Sequence, residues 1–541
     1  MKDISSTASF VDFTLENLIY VDKTEYIPKL VKLKRVFISR PRRFGKSLTL
    51  DTIGTLFEKG VEPYFKDTWI YDKWTEPTYP VFRLSFLNLD NSSLDLFKKQ
   101  LNSIISEFAN KINVKGYVEK TEPEDSILSL LEKLEEETRQ IVILIDEYDY
   151  QLTSNINNEA LYKQFQQKIK RFYANIKDKF AIKFLGITGV TRLKDVEIFS
   201  IGSDINDITN CSPYSQMIGF TRDEIKKYYI DYLKLAASYE NNCTVDNVTE
   251  AQIESLLDRL AKNYDGYCFD EFYKKKVFST WSVNSFFQSI VENKFVFFDE
   301  YWYDNGGLPS ILVNYLKTHE LNIFEYLDKD KFLKVSSDDF KNPTALTTIN
   351  QNVLMCQTGY LTLRSDLKKS STVLLGIPNG EIYKALNRLL ANNIFKGKAD
   401  VTDDQGKNLL EEGTVDDIIN LFNSALNSVS YDNYPIVSES SVQNMLKLYL
   451  LGAHQEVLSE VHEAKGRADL IVNTDIRRIV FEFKYAQNES EAKTKLSEAV
   501  EQIKSRDYGN ILPKKHELLR IAAVFNADPK VRAFTENQIV P

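Results

Sequence analysis

The sequence predicts an α/β protein of several domains: a mostly parallel sheet wrapped in helices, then a helical extension, then a smaller mixed α/β domain at the C-terminal end. Three observations carry this reading. Short β-branched runs alternate with longer amphipathic segments from Val36 to about residue 207, and alternating strand and helix signals build parallel sheets. Helical spacing rich in aromatics takes over between about Phe220 and Leu333. After about residue 440 the signals run helix, strand, strand, helix, strand. At 541 residues, 43% hydrophobic and 12% aromatic, the chain is too long for one core and too apolar to stay disordered.

The strand runs of the first part are Arg35-Val36-Phe37-Ile38, Val81 to Phe86, Ile141 to Ile145 and Ile182 to Ile187. In the helical extension Thr221 and Glu224 suit a capping box, and the tyrosines of Tyr228-Tyr229-Ile230-Asp231-Tyr232 are assigned to packing. Leu361-Thr362-Leu363 and Val373 to Ile377 give mixed signals. At the end come a helix over about 441–448, strands at 469–472 and 478–484, a helix over about 489–504 and a strand at 519–525. The expected divisions are 1–215 for the sheet domain, 216–335 for the helical lid, 336–435 for a connecting region and 436–541 for the last domain.

Lys plus Arg total 68 against 77 Asp plus Glu, a net charge of −9, which excludes a generally basic nucleic-acid coat but not local basic clusters. Four cysteines without a CxxC pair support neither a disulfide scaffold nor a thiolate zinc site. No apolar signal core follows Met1, and no uninterrupted apolar run reaches about 18 residues. A soluble, intracellular, cytoplasmic protein without a membrane partner is expected, and an address read by a specialised secretion machine would escape this test.

Arg40-Pro41-Arg42-Arg43-Phe44-Gly45-Lys46-Ser47-Leu48 places Gly-Lys-Ser between a strand and a helix. Main-chain N–H groups at such a helix start cradle phosphate oxygens, Lys46 would lie on the β/γ-phosphates, and the Ser47 hydroxyl would join a Mg²⁺ shell. Arg42, Arg43, Phe44, Gly45 and Leu48 complete the candidate nucleotide-binding loop. The pattern GxxxxGK[ST] asks for glycine where this chain has Arg40. A lone Gly-Lys-Ser is often only a turn. Here Ile141-Val142-Ile143-Leu144-Ile145 runs into Asp146-Glu147, a doubly buried strand that delivers carboxylates to the sheet edge where ligands bind. Asp146 is expected to hold the metal through water and Glu147 to polarise the attacking water. The next strand ends at Thr188-Gly189-Val190-Thr191-Arg192, where Thr188 or Thr191 would sense the γ-phosphate and Arg192 would stabilise charge on the transferring group.

These blocks, with Tyr20-Val21-Asp22-Lys23-Thr24 and Tyr264-Asp265-Gly266-Tyr267, resemble the predicted AAA-ATPase-like family, whose members often end in a PD-(D/E)XK nuclease-like domain. The glycine-poor loop is itself a feature of that family. The resemblance implies a P-loop, AAA-like sheet domain, ATP and Mg²⁺ as cofactors, and assembly into a homo-oligomer.

Toward the C-terminus, Gly466-Arg467-Ala468-Asp469 precedes Phe481-Glu482-Phe483-Lys484. A hairpin would bring Asp469 to Glu482, and strand alternation puts Glu482 and Lys484 on one face. The carboxylates would bind Mg²⁺, and Lys484 would orient or help deprotonate the water attacking a phosphodiester. This resembles the PD-(D/E)XK superfamily and implies a restriction-endonuclease-like fold acting on DNA or RNA. By the same resemblance Glu460 matches an acid that the fold adds from its first helix, Gln502 a polar residue on the following helix, and Arg467 a contact to the scissile phosphate.

The leading expectation is an ATPase joined to a Mg²⁺-dependent nuclease-like domain. The alternative is a nucleotide-switched interaction module whose nuclease-like fold binds without cutting.

Overall fold

In the computed structural model, residues 1–193, 205–302, 310–316, 319, 322–343, 345–395, 403–453, 455–463, 466–506, 508 and 517–541 are described, positions 310, 403–405, 459–463, 466 and 467 by backbone alone. Two compact units arise, one of Met1–Leu321 with Phe332–Ile382, the other of Asn322–Lys331 with Tyr383–Pro541.

The first unit is organised by strands β1 (Arg35–Ser39), β2 (Val81–Ser85), β3 (Ile141–Asp146), β4 (Ile182–Gly189) and β5 (Asn206–Asp207), in the spatial order β2-β3-β4-β1-β5. All neighbouring pairs run parallel, so every strand delivers its C-terminal end to one edge. β1 is buried along its whole length and β3 at all but its last residue, as continuous apolar runs in a covered parallel sheet must be. The register aligns Ser39 with Gly189 and Ser85 with Asp146. The loop after β1, the acid ending β3 and Thr188 on the intervening β4 therefore meet at one place.

Helices Arg222–Tyr228, Ile230–Asn241, Glu250–Tyr264 and Thr280–Asn293 form the extension, around a core that includes Tyr229, Leu256, Leu257, Phe286 and Phe287. The expected capping box forms: Thr221 Oγ1 accepts from Glu224 N at 3.2 Å and Glu224 Oε2 from Thr221 N at 2.7 Å. Tyr229 and Tyr232 are packed in that core, as their spacing suggested. The mixed signals beyond resolve into a small antiparallel sheet of β6 (Leu333–Ser336), β7 (Thr362–Leu363) and β8 (Thr372–Gly376), ordered β6-β8-β7.

The second unit carries β9 (Glu456–Glu463), β10 (Gly466–Asn473), β11 (Arg477–Ala486), β12 (Glu517–Asn526) and β13 (Ala533–Ile539), ordered β13-β12-β11-β10-β9. β11 and β12 are parallel, joined by the crossover helix Glu489–Arg506, which packs Ala499, Val500 and Ile503 on Val480 and Ala522. β9 and β13 were not expected from the sequence. Both are edge strands with charged or amide side chains, a composition that guards an open edge and erases the apolar alternation by which strands are read. Among the described residues no helix is long and apolar enough to cross a membrane.

Gly266 joins the extension to the small sheet's connection. Its φ is +98°, and a Cβ there would lie 2.2 Å from the Pro378 carbonyl oxygen. Gly266→Ala is expected to destabilise the first unit by about 2 kcal/mol or more, through backbone strain and steric displacement, which denaturant unfolding followed by intrinsic fluorescence will measure.

Candidate phosphate-loop and nuclease-like sites

The helix Lys46–Lys59 starts directly from the loop after β1. Gly45 occupies its N-cap with φ +94°, a left-handed conformation that disfavours side chains, and no side chain caps the first turn. The leading N–H groups of the helix therefore have no side-chain acceptor, an arrangement suited to an anion. Lys46 is only 5% exposed, and its ammonium donates to the carbonyls of Arg40 at 3.0 Å and Pro41 at 2.9 Å. Burial pulls its pKa down, while Asp146 and then Glu147 oppose that shift. The Ser47 hydroxyl and the Thr188 hydroxyl donate to opposite oxygens of Asp146.

Glu147 follows with φ +51°, and its N–H returns to Asp146 Oδ1 at 3.0 Å. Glu147 Oε2 is buried and has no hydrogen-bond partner, and burial raises its pKa. Asp149 locks the same turn by accepting from Thr191 N at 2.6 Å and from the Thr191 hydroxyl. Thr191 thus braces the turn, whereas Thr188 is the residue beside Asp146.

Arg42, Arg43, Phe44, Gly45, Lys46, Ser47, Leu48 and Glu147 all line one cavity of about 430 Å³, whose far wall comes from the N-terminal segment and the extension. The loop is held from that side. The Arg43 carbonyl accepts from Thr280 Oγ1 at 2.9 Å and its guanidinium stacks 4.2 Å from the Trp281 ring centre. Phe44 meets Tyr267 and Phe269 edge-on at 4.7 and 5.6 Å. Lys23 pairs with Glu224 and donates to the Gln216 carbonyl at 2.8 Å, tying the N-terminal block to the extension. Arg192 is not brought to this group. Its Nε meets Asp207 and its Nη1 the Lys341 carbonyl, away from Lys46.

In the second unit, β10 and β11 pair Leu470 with Phe481, which sets Asp469 beside Glu482. Asp469 Oδ2 accepts from Phe483 N at 2.8 Å. Lys484 Nζ lies 2.9 Å from Glu482 Oε1, 3.1 Å from the Phe483 carbonyl and 3.3 Å from Glu439 Oε1. Glu482 is fully buried, and its Oε2 has no hydrogen-bond partner. Burial first, then the Asp469 charge, push its pKa from the ordinary 4.5 to about 7. Among the described residues no three His, Cys, Asp or Glu side chains already form a cation cage. The orphaned Oε2 beside Asp469 is the feature that fits a divalent cation.

Residues 5–199 match the AAA-ATPase-like family, described as "Predicted AAA-ATPase", and residues 437–534 match the PD-(D/E)XK nuclease superfamily. The chain carries an AAA-ATPase-like domain at its N-terminal end and a PD-(D/E)XK nuclease superfamily domain at its C-terminal end. An "Uncharacterized protein in vnfD 5'region" of Azotobacter chroococcum mcd 1 is 25% identical over 539 residues, covering 95% of this chain and 94% of its own. The crystal structure of Cdc6p from Pyrobaculum aerophilum aligns with 68% of this chain and 93% of its own at 12% identity, with a TM-score of 0.23, too low to support any argument.

Within the PD-(D/E)XK domain, position 460 falls on β9 and not on the first helix as expected, and the side chains of Glu460 and Arg467 lie outside the described residues. The helix that contributes a carboxylate is Glu439–Gly452, through Glu439 at its first position. The Ser438-x-x-Ser441 capping pattern marks that helix start in sequence, but nothing local says that its first side chain faces β11. Gln502 lies on the crossover helix, its amide 3.5 Å from the Tyr508 hydroxyl and not bonded to the carboxylates. At the phosphate loop the sequence reading missed Thr280 and Trp281 of the extension, which are far along the chain from the loop they hold.

The raised Glu482 pKa sets two linked pH dependences. The folded carboxyl keeps its proton longer than the unfolded one, so without divalent cations the second unit loses stability as pH rises from 4.5 to about 7. A divalent cation held by Asp469 and Glu482 would need the ionised carboxylate, so the affinity for added Mn²⁺ is expected to rise close to tenfold per pH unit below about 7 and to level off above it. Calorimetric titration across pH, with Glu482→Gln flattening both profiles, checks the assignment.

Proposed function

We propose that this protein binds and hydrolyses ATP in its AAA-ATPase-like domain and cleaves phosphodiesters of DNA or RNA in its PD-(D/E)XK domain. The observation that carries the reading is the convergence of Lys46, Ser47, Asp146, Thr188 and the unpartnered Glu147 Oε2 on an uncapped helix start. A buried carboxylate oxygen without a donor, opposite a buried ammonium, fits a site built around a phosphate and its cation.

In this reading the loop N–H groups and Lys46 hold the triphosphate, and Ser47 and Asp146 would hold Mg²⁺, which supplies charge neutralisation for the phosphoryl oxygens. Glu147 takes the proton from the attacking water, and its burial makes it a better base than an exposed carboxylate. Thr188 positions Asp146 and gives the site a hydroxyl on β4. Arg192 would stabilise charge on the transferring group once nucleotide binding opens its pairing with Asp207.

In the nuclease-like site Asp469 and Glu482 would hold Mg²⁺, with Glu439 as an additional carboxylate. Lys484 is braced by Glu482; burial lowers its pKa, but Glu482 together with Glu439 and Asp469 outweighs burial and keeps the ammonium charged to orient water. The four cysteines are free, which accords with a reducing cytoplasm.

Lys46→Ala is expected to weaken ATP binding at least ~10-fold in calorimetry with Mg²⁺, from loss of a charge-assisted contact. Purified protein with Mg²⁺ should cut plasmid or single-stranded substrate, and Asp469→Ala or Lys484→Ala should slow cutting by ~100-fold or more. Tight nucleic-acid binding without cutting by the wild-type protein would replace the nuclease reading with that of a nucleotide-switched binding module. Unchanged ATP affinity in Lys46→Ala would remove the phosphate-loop assignment.

A further inference from the structure

Arg40 stands where the general phosphate-loop pattern has glycine, so its side chain needs room that a glycine would not. That side chain turns away from the nucleotide cavity and is 1% exposed. Nη1 donates to the carbonyls of Ser39 at 2.9 Å and Thr209 at 2.6 Å, and the guanidinium lies 4.0 Å from the Phe269 ring centre. Nε and Nη2 are buried and have no hydrogen-bond partner. Arg40 also lines a separate cavity of about 40 Å³, together with Arg192, Thr209, Asn210, Cys268 and Gln357.

We propose that this small cavity beneath the phosphate loop binds a halide-sized monovalent anion, held by the Arg40 guanidinium. Among the described residues the charges around it do not balance. Asp207 is the carboxylate nearest in effect, but its Oδ2 pairs with Arg192 and its Oδ1 accepts from Thr209 N at 2.9 Å. Glu271 pairs with Lys368 at 2.9 Å. The thiols cannot serve as counter-ions, because burial pushes Cys268 up to about 11 and Cys356 up to about 12. Among the described residues Asp207 is thus taken up by Arg192 and Thr209, and Arg40 is left with the unused donors Nε and Nη2.

A buried ion without a partner is strongly disfavoured, and burial alone pulls the Arg40 pKa down to about 9 against the opposing Asp207 charge. An anion removes both the charge imbalance and the orphaned donors. Size limits the choice: a water needs roughly 10–15 Å³ of such space, so the cavity takes chloride or bromide with a water, and a nucleotide phosphate has no place in it. The main-chain oxygen of the same residue accepts from Lys46 at 3.0 Å, so the anion would also steady the loop from below. None of this rests on ATP being the ligand above.

Crystals of the full chain soaked in bromide, with diffraction recorded at the bromine edge, should show an anomalous peak in this cavity within about 3.5 Å of Arg40 Nε or Nη2. Density for water alone, with no anomalous signal, overturns the proposal, and this arm needs no variant. In solution the unfolding midpoint should be ~2 °C higher in potassium bromide than in potassium gluconate of equal ionic strength, as expected for a ligand of the folded state. Arg40→Met should abolish that difference. Equal midpoints in the wild type, or a difference that persists in Arg40→Met, overturns it as well.

Discussion

The Asp146 carboxylate is the joint on which the first unit's site depends. One oxygen takes the hydroxyl of Ser47 from the loop after β1, and the other takes the hydroxyl of Thr188 from β4. Three segments separated by long stretches of chain are thereby fixed at one sheet edge. The parallel register does most of the work, because Ser39 lies level with Gly189 and Ile145 with Ile187. An acid one residue earlier on β3 would point to the other face of the sheet.

Charges buried around that joint define the chemistry. Lys46, Glu147 and Arg40 each lie where water would not solvate them well, and Glu147 and Arg40 are only partly satisfied by protein groups. Such a group is tolerated where something else completes it. Glu482 repeats the pattern in the second unit, with one oxygen on Lys484 and the other on nothing. Both sites thus share a signature: a hydrogen-bonded ammonium near a buried carboxylate oxygen that no protein donor meets.

The loop itself departs from the familiar glycine-rich form, and the structure shows how the departure is absorbed. Gly45 is the position at which the backbone turns left-handed before the helix, while Arg40 contributes its carbonyl to Lys46 and sends its side chain elsewhere. The loop's outer side is secured by Thr280 and Trp281 of the extension, and by the edge-on contact of Phe44 with Tyr267. This makes sense of two sequence blocks whose purpose is not evident locally. Tyr267 of the first block supplies a wall for Phe44, and Tyr20, Val21 and Lys23 of the second line the larger cavity, Lys23 joining it to the extension.

Much of the site was legible because the chemistry sits in short, contiguous runs. Gly45-Lys46-Ser47 and Asp146-Glu147 each end or begin a regular element, and Glu482 and Lys484 share a face by strand alternation alone. For these runs, order along the chain and local periodicity were enough to determine the element types and the chemical groups they carry, whereas the edge strands β9 and β13 escaped them. What the chain alone could not decide is which distant residue fills the space beside each group. Glu439 reaches Lys484 from a helix more than forty positions away, Trp281 covers Arg43 from the extension, and Arg192 turns to Asp207 and not to the loop. Those choices follow from packing and from the need to pair or shelter buried charge, which only the assembled tertiary structure imposes.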